Sequence, residues 1–236
     1  LSDNQELFTD DIVEDEKSDK EALERFGSGI FEKEISTFAP VDNLPIPESY
    51  RLGPGDSLNI MLFGKEDDEF SVTIQRDGKA VFPRLGSIAL SGATFEKAEE
   101  LINQRISQQL IGTSVLISMN RLRRINVMLA GEVVNPGSYN VSALTTLSQG
   151  IYVGGGITDI GAYREIQIVR GGARLEAFDL YDLLLKGDNS GDLRLQSGDV
   201  VFVPVARNLV KIQGEVARPG IYEASQQETI EEMIEM

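Results

Sequence analysis

The stretch Ala130-Gly-Glu-Val-Val-Asn-Pro-Gly-Ser-Tyr139 returns later in the chain as Gln213-Gly-Glu-Val-Ala-Arg-Pro-Gly-Ile-Tyr222. The two copies are offset by 83 residues, and the same offset carries Thr146-Leu147 to Thr229-Ile230. A turn tolerates many sequences, so identity at Gly, Glu, Val, Pro, Gly and Tyr indicates one structural unit that is used twice.

Each copy predicts a β-hairpin followed by a short helix. The residues that lead into the copies alternate as strands do, with Ile125, Val127 and Leu129 in one and Val210 and Ile212 in the other. In the Pro-Gly pair that follows, Pro fixes φ and Gly takes a positive φ, which predicts a tight turn. A second strand carries Tyr139 or Tyr222, and Thr146 or Thr229 then caps the helix.

The composition excludes several classes of enzyme. The chain has 236 residues and contains no Cys, no His and no Trp, which rules out a disulfide framework, a zinc cluster, and Ser-His-Asp or Cys-His chemistry. A glycosidase working with paired carboxylates is the catalytic alternative that remains, but no acidic pair stands apart from turns, caps or the acidic ends. We therefore expect no catalytic residue, no metal and no cofactor.

The charge is concentrated at the two ends of the chain. Of the net charge of −16, residues 1–48 carry −10 and residues 223–236 carry −5, which leaves −1 for residues 49–222. Nucleic-acid binding requires a basic surface, so this distribution argues against a nucleic-acid partner.

Four segments follow from these patterns. Residues 1–48 are predicted to be an acidic leader that continues, from Phe26 to Pro47, as an extended arm packing on something, such as a neighbouring subunit. Residues 49–124 form a first compact unit of hairpins and one helix capped by Thr94. The two repeat copies open the remaining segments, 125–208 and 209–236, and we expect the second copy to continue beyond Met236.

Turns of similar sequence occur in both kinds of unit. The segment Leu195–Pro204 resembles Leu52–Ile60, since both place a Gly-Asp turn before a strand. The predicted structural turns involve Gly53, Gly55, Asp56, Asp77, Gly78, Gly131, Pro136, Gly137, Gly198, Asp199, Gly214, Pro219 and Gly220.

These motifs together resemble the bacterial polysaccharide export proteins of the outer membrane, the Wza-like group. The opening unit, with its Leu-Gly-Pro-Gly-Asp turn and its helix beginning at Thr94, looks like the export domain of that family. The Gly-Glu-Val-x-x-Pro-Gly-x-Tyr copies look like the SLBB (soluble-ligand-binding β-grasp) domains that follow it. The resemblance implies a β-rich α+β fold, in which an export domain is followed by SLBB repeats of which the last is truncated.

The resemblance also implies a function. It predicts a non-enzymatic periplasmic protein associated with the outer membrane, which forms a homo-oligomeric ring for passage of capsular or exopolysaccharide. An inner-membrane polysaccharide co-polymerase is a further implied partner. The alternative is a monomeric glycan-binding or adhesion module built from the same repeats.

Some side chains are candidates for contact with a glycan or another subunit. Arg121, Arg123 and Arg124 form the densest basic cluster, although a solvated turn between domains explains them at least as well. Glu132 and Glu215 more often accept backbone hydrogen bonds at such positions, and Tyr139 and Tyr222 more often pack in a core.

Overall fold

The computed structural model describes residues 23–32, 46–65, 67–225 and 228–235. The described part of the predicted arm includes one short helix, α1 (Gly29–Glu32), and the arm is therefore not extended throughout. The remainder of the predicted leader and arm, residues 1–22 and 33–45, lies outside the described residues. None of the described helices has both the length and the apolar composition that crossing a bilayer requires.

The first unit is built on a three-stranded antiparallel sheet. Strand β1 (Ser57–Gly64) lies at its centre, between β2 (Asp68–Thr73) and a later strand. Leu58, Ile60 and Leu62 alternate along β1 and are buried, as their spacing predicts. A separate hairpin pairs β3 (Lys79–Phe82) with β4 (Gly86–Ala89).

One amphipathic helix, α2 (Phe95–Gln109), packs against the next strand, β5 (Thr113–Arg121), which completes the sheet in the order β2-β1-β5. The hydroxyl of Thr94 accepts a hydrogen bond from the amide of Lys97 and caps the helix, as predicted. The helix buries its apolar side chains against this unit through Ala98, Ile102 and Ile106.

The second unit contains a five-stranded mixed sheet. Its elements in chain order are β6 (Arg124–Gly131), β7 (Gly137–Ser142), α3 (Leu147–Val153), β8 (Gln167–Arg170), β9 (Ala173–Arg174), a π-helical turn (Asp182–Lys186) and β10 (Val200–Val203). The strands lie in the order β7-β6-β10-β8-β9, with β6 and β10 parallel and the other neighbours antiparallel. The first strand of the unit thus lies beside the last at the centre, which is the β-grasp arrangement, and the predicted α+β, β-rich fold is confirmed.

The second copy of the repeat folds as the first copy does. Strands β11 (Leu209–Ile212) and β12 (Gly220–Glu223) form an antiparallel hairpin, followed by α4 (Ile230–Glu235). Val210 pairs with Tyr222 in this hairpin, just as Val127 pairs with Tyr139 in the first one. The two hairpins therefore pair equivalent residues, which differ by the same 83 positions as the sequence copies.

The helix caps repeat as well. Thr146 and Gln149 form a capping box at the start of α3, in which each side chain bonds the backbone N–H of the other residue. Thr229 and Glu232 form the same pair of bonds at the start of α4. The second copy therefore reproduces the local hydrogen bonds of the first and not only its outline.

The positive φ expected at the Pro-Gly pair is found in one copy only. Gly137 begins β7 with a φ of 155°, which is positive as predicted although close to extended, whereas Gly220 has no positive φ. The left-handed glycines are Gly131 and Gly214, with φ of 80° and 107°. The Pro-Gly pair therefore starts the second strand, whereas the chain leaves the first strand at the Gly-Glu-Val glycine.

Replacing Gly131 by alanine is expected to lower the free energy of unfolding by about 2–3 kcal/mol, from the left-handed φ and from crowding. A Cβ at this position would lie 2.1 Å from the carbonyl oxygen of Val203 on β10. Gly214→Ala is the matched control, because no atom lies within 4 Å of its Cβ position and only the backbone strain remains. Equal losses for the two variants in urea unfolding would contradict the crowding argument.

Candidate functional site

The predicted cluster Arg121–Arg124 does not act as one basic patch. Arg121 ends β5 and Arg124 begins β6, and both are exposed. Between them, the Arg123 guanidinium turns inward, where its Nη1 lies 2.6 Å from Asp56 Oδ2. Contact of this cluster with a glycan or a second subunit stays a prediction for Arg121 and Arg124, while Arg123 has a clear structural partner.

Asp56 is the centre of a buried polar clamp between the two units. Its carboxylate is fully buried and accepts hydrogen bonds from the amides of Gly53 and Arg123, the Tyr50 hydroxyl and the Arg123 guanidinium, at 2.6 to 2.9 Å. Burial, with the hydrogen bond to Asp56, raises the pKa of the Tyr50 hydroxyl, which therefore stays protonated and donates.

The glycines of this turn leave room for the arginine. A Cβ on Gly53 would lie 2.9 Å from Arg123 Nη1, and a Cβ on Gly55 would lie 3.1 Å from Arg123 Cβ. Gly55 also has a φ of 99°, which favours glycine. The Gly-Pro-Gly-Asp sequence thus supplies the buried acid and, through the two glycines that precede it, the space for the cation that neutralises it.

The turn before β10 repeats this clamp inside the second unit. The carboxylate of Asp199 is 1% exposed, accepts the amide of Gln196 and pairs with Nε and Nη2 of Arg170, both at 2.8 Å. The preceding Gly198 has a φ of 89°. The segments Leu52–Ile60 and Leu195–Pro204 are therefore alike in structure as well as in sequence. In each, the buried aspartate accepts a backbone amide and pairs with an arginine from a distant part of the chain.

The other predicted turn residues lie apart from these clamps. Asp77 and Gly78 form the turn between β2 and β3, where the Asp77 carboxylate accepts the amide of Lys79 at 3.1 Å. Pro136 and Pro219 are exposed and precede the second strand of their hairpins.

The repeated tyrosines and Glu132 have structural roles, whereas Glu215 is exposed. The hydroxyls of Tyr139 and Tyr222 donate to the carbonyl oxygens of Asn135 and Arg218, at 2.7 and 2.8 Å. Tyr222 is buried, whereas Tyr139 is only half-buried. The Glu132 carboxylate accepts from the hydroxyl of Thr158, so the expected backbone donor is replaced by a side chain.

A cleft of about 610 Å³ lies at the junction of the first unit with the second, beside the Asp56 clamp. Its lining comes from the segment before β1, from the junction of β5 with β6, from the residue after β7 and from the turn before β10. Three guanidinium groups and no carboxylate line it, the residues being Ser49, Tyr50, Arg51, Arg123, Ile125, Ala143, Arg194, Leu195, Gln196 and Ser197.

Residues 23–32, at the end of the leader and the start of the arm, pack on both β-grasp copies of their own chain. The side chain of Arg25 is 7% exposed, pairs with Glu223 at 2.7 Å, donates to the carbonyl oxygens of Asp159 and Gly161, and lies over the Tyr163 ring. Residues 23–32 thus contact their own chain, and contact of the arm with a neighbouring subunit stays a prediction.

Aromatic rings add to this joint, by which we mean the contact of residues 23–32 with the two β-grasp copies. Phe26 stacks on Tyr222 with ring centroids 5.0 Å apart and meets the edge of Tyr181 at 5.2 Å. Burial raises the pKa of Tyr181 to about 12 and also raises the pKa of the Glu223 carboxyl. In the sequence, this joint is indicated only by Arg25, a basic residue that follows an acidic run and precedes Phe26. That signal does not identify Glu223 as the partner.

No cation site is apparent in the described ranges. No group of three or more acidic residues there is arranged to hold a metal ion. The segment Asp188–Asp192 is a turn, in which Asp188 accepts the amide of Ser190 and Asp192 accepts the amide and hydroxyl of Ser148.

Comparisons with known proteins match both kinds of unit. A family described as polysaccharide biosynthesis/export protein matches residues 44–120, and the SLBB domain matches residues 126–179 and 209–236. Two sequences of the polysialic acid transport protein KpsD of Escherichia coli are each 27% identical to this chain over 169 residues. The matched region covers 71% of this chain and 30% of each relative, so the chain spans less than a third of their length.

Proposed function

Because this chain belongs to the bacterial polysaccharide export family, with an export domain followed by SLBB domains, we propose that it is the periplasmic part of an outer-membrane exporter of capsular or extracellular polysaccharide. In this proposal the domains span residues 49–124, 125–208 and 209–236. The relatives named for polysialic acid transport support a role with a surface glycan.

We assign the protein a scaffold role rather than a catalytic one. The observation that carries this role is the way the units are joined. The acids and cations buried at the junctions are used in ion pairs between segments, such as Asp56 with Arg123 and Glu223 with Arg25. Groups that are fully engaged in such pairs hold the units in a fixed arrangement and are not free to transfer protons to a substrate.

The proposed assembly is a homo-oligomeric ring around a passage, which receives polymer from an inner-membrane co-polymerase. The near-neutral charge of residues 49–222 supports a passage that neither repels nor traps an anionic polymer strongly. The alternative, a monomeric glycan-binding or adhesion module, uses the same repeats and predicts no export defect.

Deleting the gene is expected to abolish surface polysaccharide while polymer accumulates inside the cell. Surface and intracellular polysaccharide would be measured separately, and a plasmid copy of the gene would serve as the control for restoration. Normal surface polysaccharide in the deletion strain would contradict the export proposal. Loss of glycan-dependent attachment with normal surface polysaccharide would support the adhesion alternative.

A further inference from the structure

The cleft between the export unit and the first β-grasp unit has the chemistry of a site for an anion. Three arginines line it with no acidic side chain among the lining residues, although the whole chain carries a net charge of −16. Arg123 is already neutralised by Asp56, so the positive charge that is available to a ligand comes from Arg51 and Arg194.

Both of these arginines keep donors for a ligand. Arg51 donates to the carbonyl oxygen of Gly92 at 3.0 Å, and Arg194 donates to the hydroxyl of Ser49 at 3.1 Å. Neither guanidinium forms an ion pair with any residue that the structure describes. A guanidinium has five N–H donors in a planar fork, which matches a carboxylate in two-point contact.

The remaining lining suits a sugar ring. Ser49, Gln196 and Ser197 are exposed polar residues that can exchange hydrogen bonds with hydroxyl groups, while Ile125 and Leu195 give an apolar floor for C–H groups. A volume of about 610 Å³ is within the usual range of roughly 300–1,000 Å³ for small-molecule sites. An extended acidic peptide has fewer hydroxyl groups to match this lining.

We propose that the cleft binds a carboxylate-bearing sugar unit of the exported polysaccharide, with Arg51 and Arg194 contacting the carboxylate. This inference rests on the proposed export function and adds a substrate class and a site to it. Arg123 also lines the cleft, where the bond to Asp56 holds its guanidinium.

Calorimetric titration of the whole chain with an oligomer of sialic acid tests this site. Maltohexaose, an uncharged oligosaccharide, serves as the neutral probe. We expect binding of the acidic oligomer only, with an affinity that falls as salt is raised, because exposed charge pairs are screened. The double variant Arg51→Gln with Arg194→Gln is expected to bind at least about tenfold more weakly, since two charge-assisted contacts are lost.

Arg207→Gln is the matched control, because Arg207 is exposed and lies beyond the opposite end of β10 from Leu195–Ser197. It removes one positive charge away from the cleft, where the double variant removes two within it, and is expected to leave binding unchanged. Both substituted arginines of the cleft lie outside the ion pairs of the fold, so thermal unfolding of the double variant should match that of the unsubstituted chain.

Several results would overturn the assignment. These are absence of binding to the acidic oligomer, equal binding of maltohexaose, or unchanged affinity in the double variant. Binding of an oligoglutamate peptide as tightly as the sugar, with the same loss in the double variant, would assign the cleft to an acidic protein segment instead. If gene deletion stops export but the double variant binds normally, the cleft assignment fails and the export function stands. Normal export after gene deletion overturns the export function, whatever the cleft binds.

Discussion

Replacing Asp56 by alanine is expected to lower the free energy of unfolding of the export unit by about 3–5 kcal/mol, the usual loss when one partner of a buried ion pair is removed. The carboxylate is fully buried, and its removal leaves the Arg123 guanidinium and the amide of Gly53 without their acceptor. The Tyr50 hydroxyl also loses its acceptor, so several donors become unsatisfied through one substitution.

The loss would be measured by urea unfolding at neutral pH, followed by far-ultraviolet circular dichroism. Asp77→Ala is the control, because Asp77 is an exposed turn residue that accepts one amide, and we expect it to cost about 1 kcal/mol or less. Similar losses for the two variants would show that the Asp56 clamp adds little to stability. Asp199→Ala should resemble Asp56→Ala, since its carboxylate is buried in the same kind of turn and paired with Arg170.

Replacing Arg25 by alanine is expected to release the second β-grasp hairpin from the first β-grasp unit. The carboxylate of Glu223 would stay in a buried position without its cation, again at a cost of about 3–5 kcal/mol. That cost falls on the docking of residues 209–223, because Arg25 joins this hairpin to Gly161 and Tyr163 of the first unit, beside the direct bond from the Tyr163 amide to Glu223. The five-stranded sheet makes its own backbone bonds and should be little affected.

Hydrogen exchange measured by mass spectrometry would locate the effect. Amides of β11 and β12 should exchange on the order of 100-fold faster in the variant, as a loss of about 3 kcal/mol implies, while those of β6 and β10 keep their rates. Glu24→Ala is the matched control, since this neighbouring side chain is exposed and only its backbone bonds the hairpin. Uniformly faster exchange across both copies would contradict a local role for Arg25.

The repeated motif predicted local structure well because hairpins and caps depend on residues close in sequence. The strands at Ile125 and Val210 and the caps at Thr146 and Thr229 all follow from neighbours within a few positions. The parallel pairing of β6 with β10 at the centre of the sheet could not be predicted from neighbouring residues. Leu129 pairs with Val201 only after the intervening residues have folded.

The candidate site was harder to predict for the same reason. The sequence singled out Arg123 for its neighbours Arg121 and Arg124, but the partner that fixes its role, Asp56, is 67 residues away. Arg51 and Arg194 stand in segments with no other basic residue beside them, and only the fold brings both to one cleft. The sequence predicted the Gly-Asp turns, but it did not show which arginine pairs with each aspartate.

The contact between the arm and Glu223 sets an order for folding during synthesis. Arg25 leaves the ribosome 198 residues before its carboxylate partner, so it cannot complete its ion pair while the β-grasp sheet is being made. Closing a loop of that length costs more chain entropy than forming the local hairpins, although the cost grows only slowly with length. The joint between the two copies should therefore be the last to form, after each has folded by its own short-range pairings.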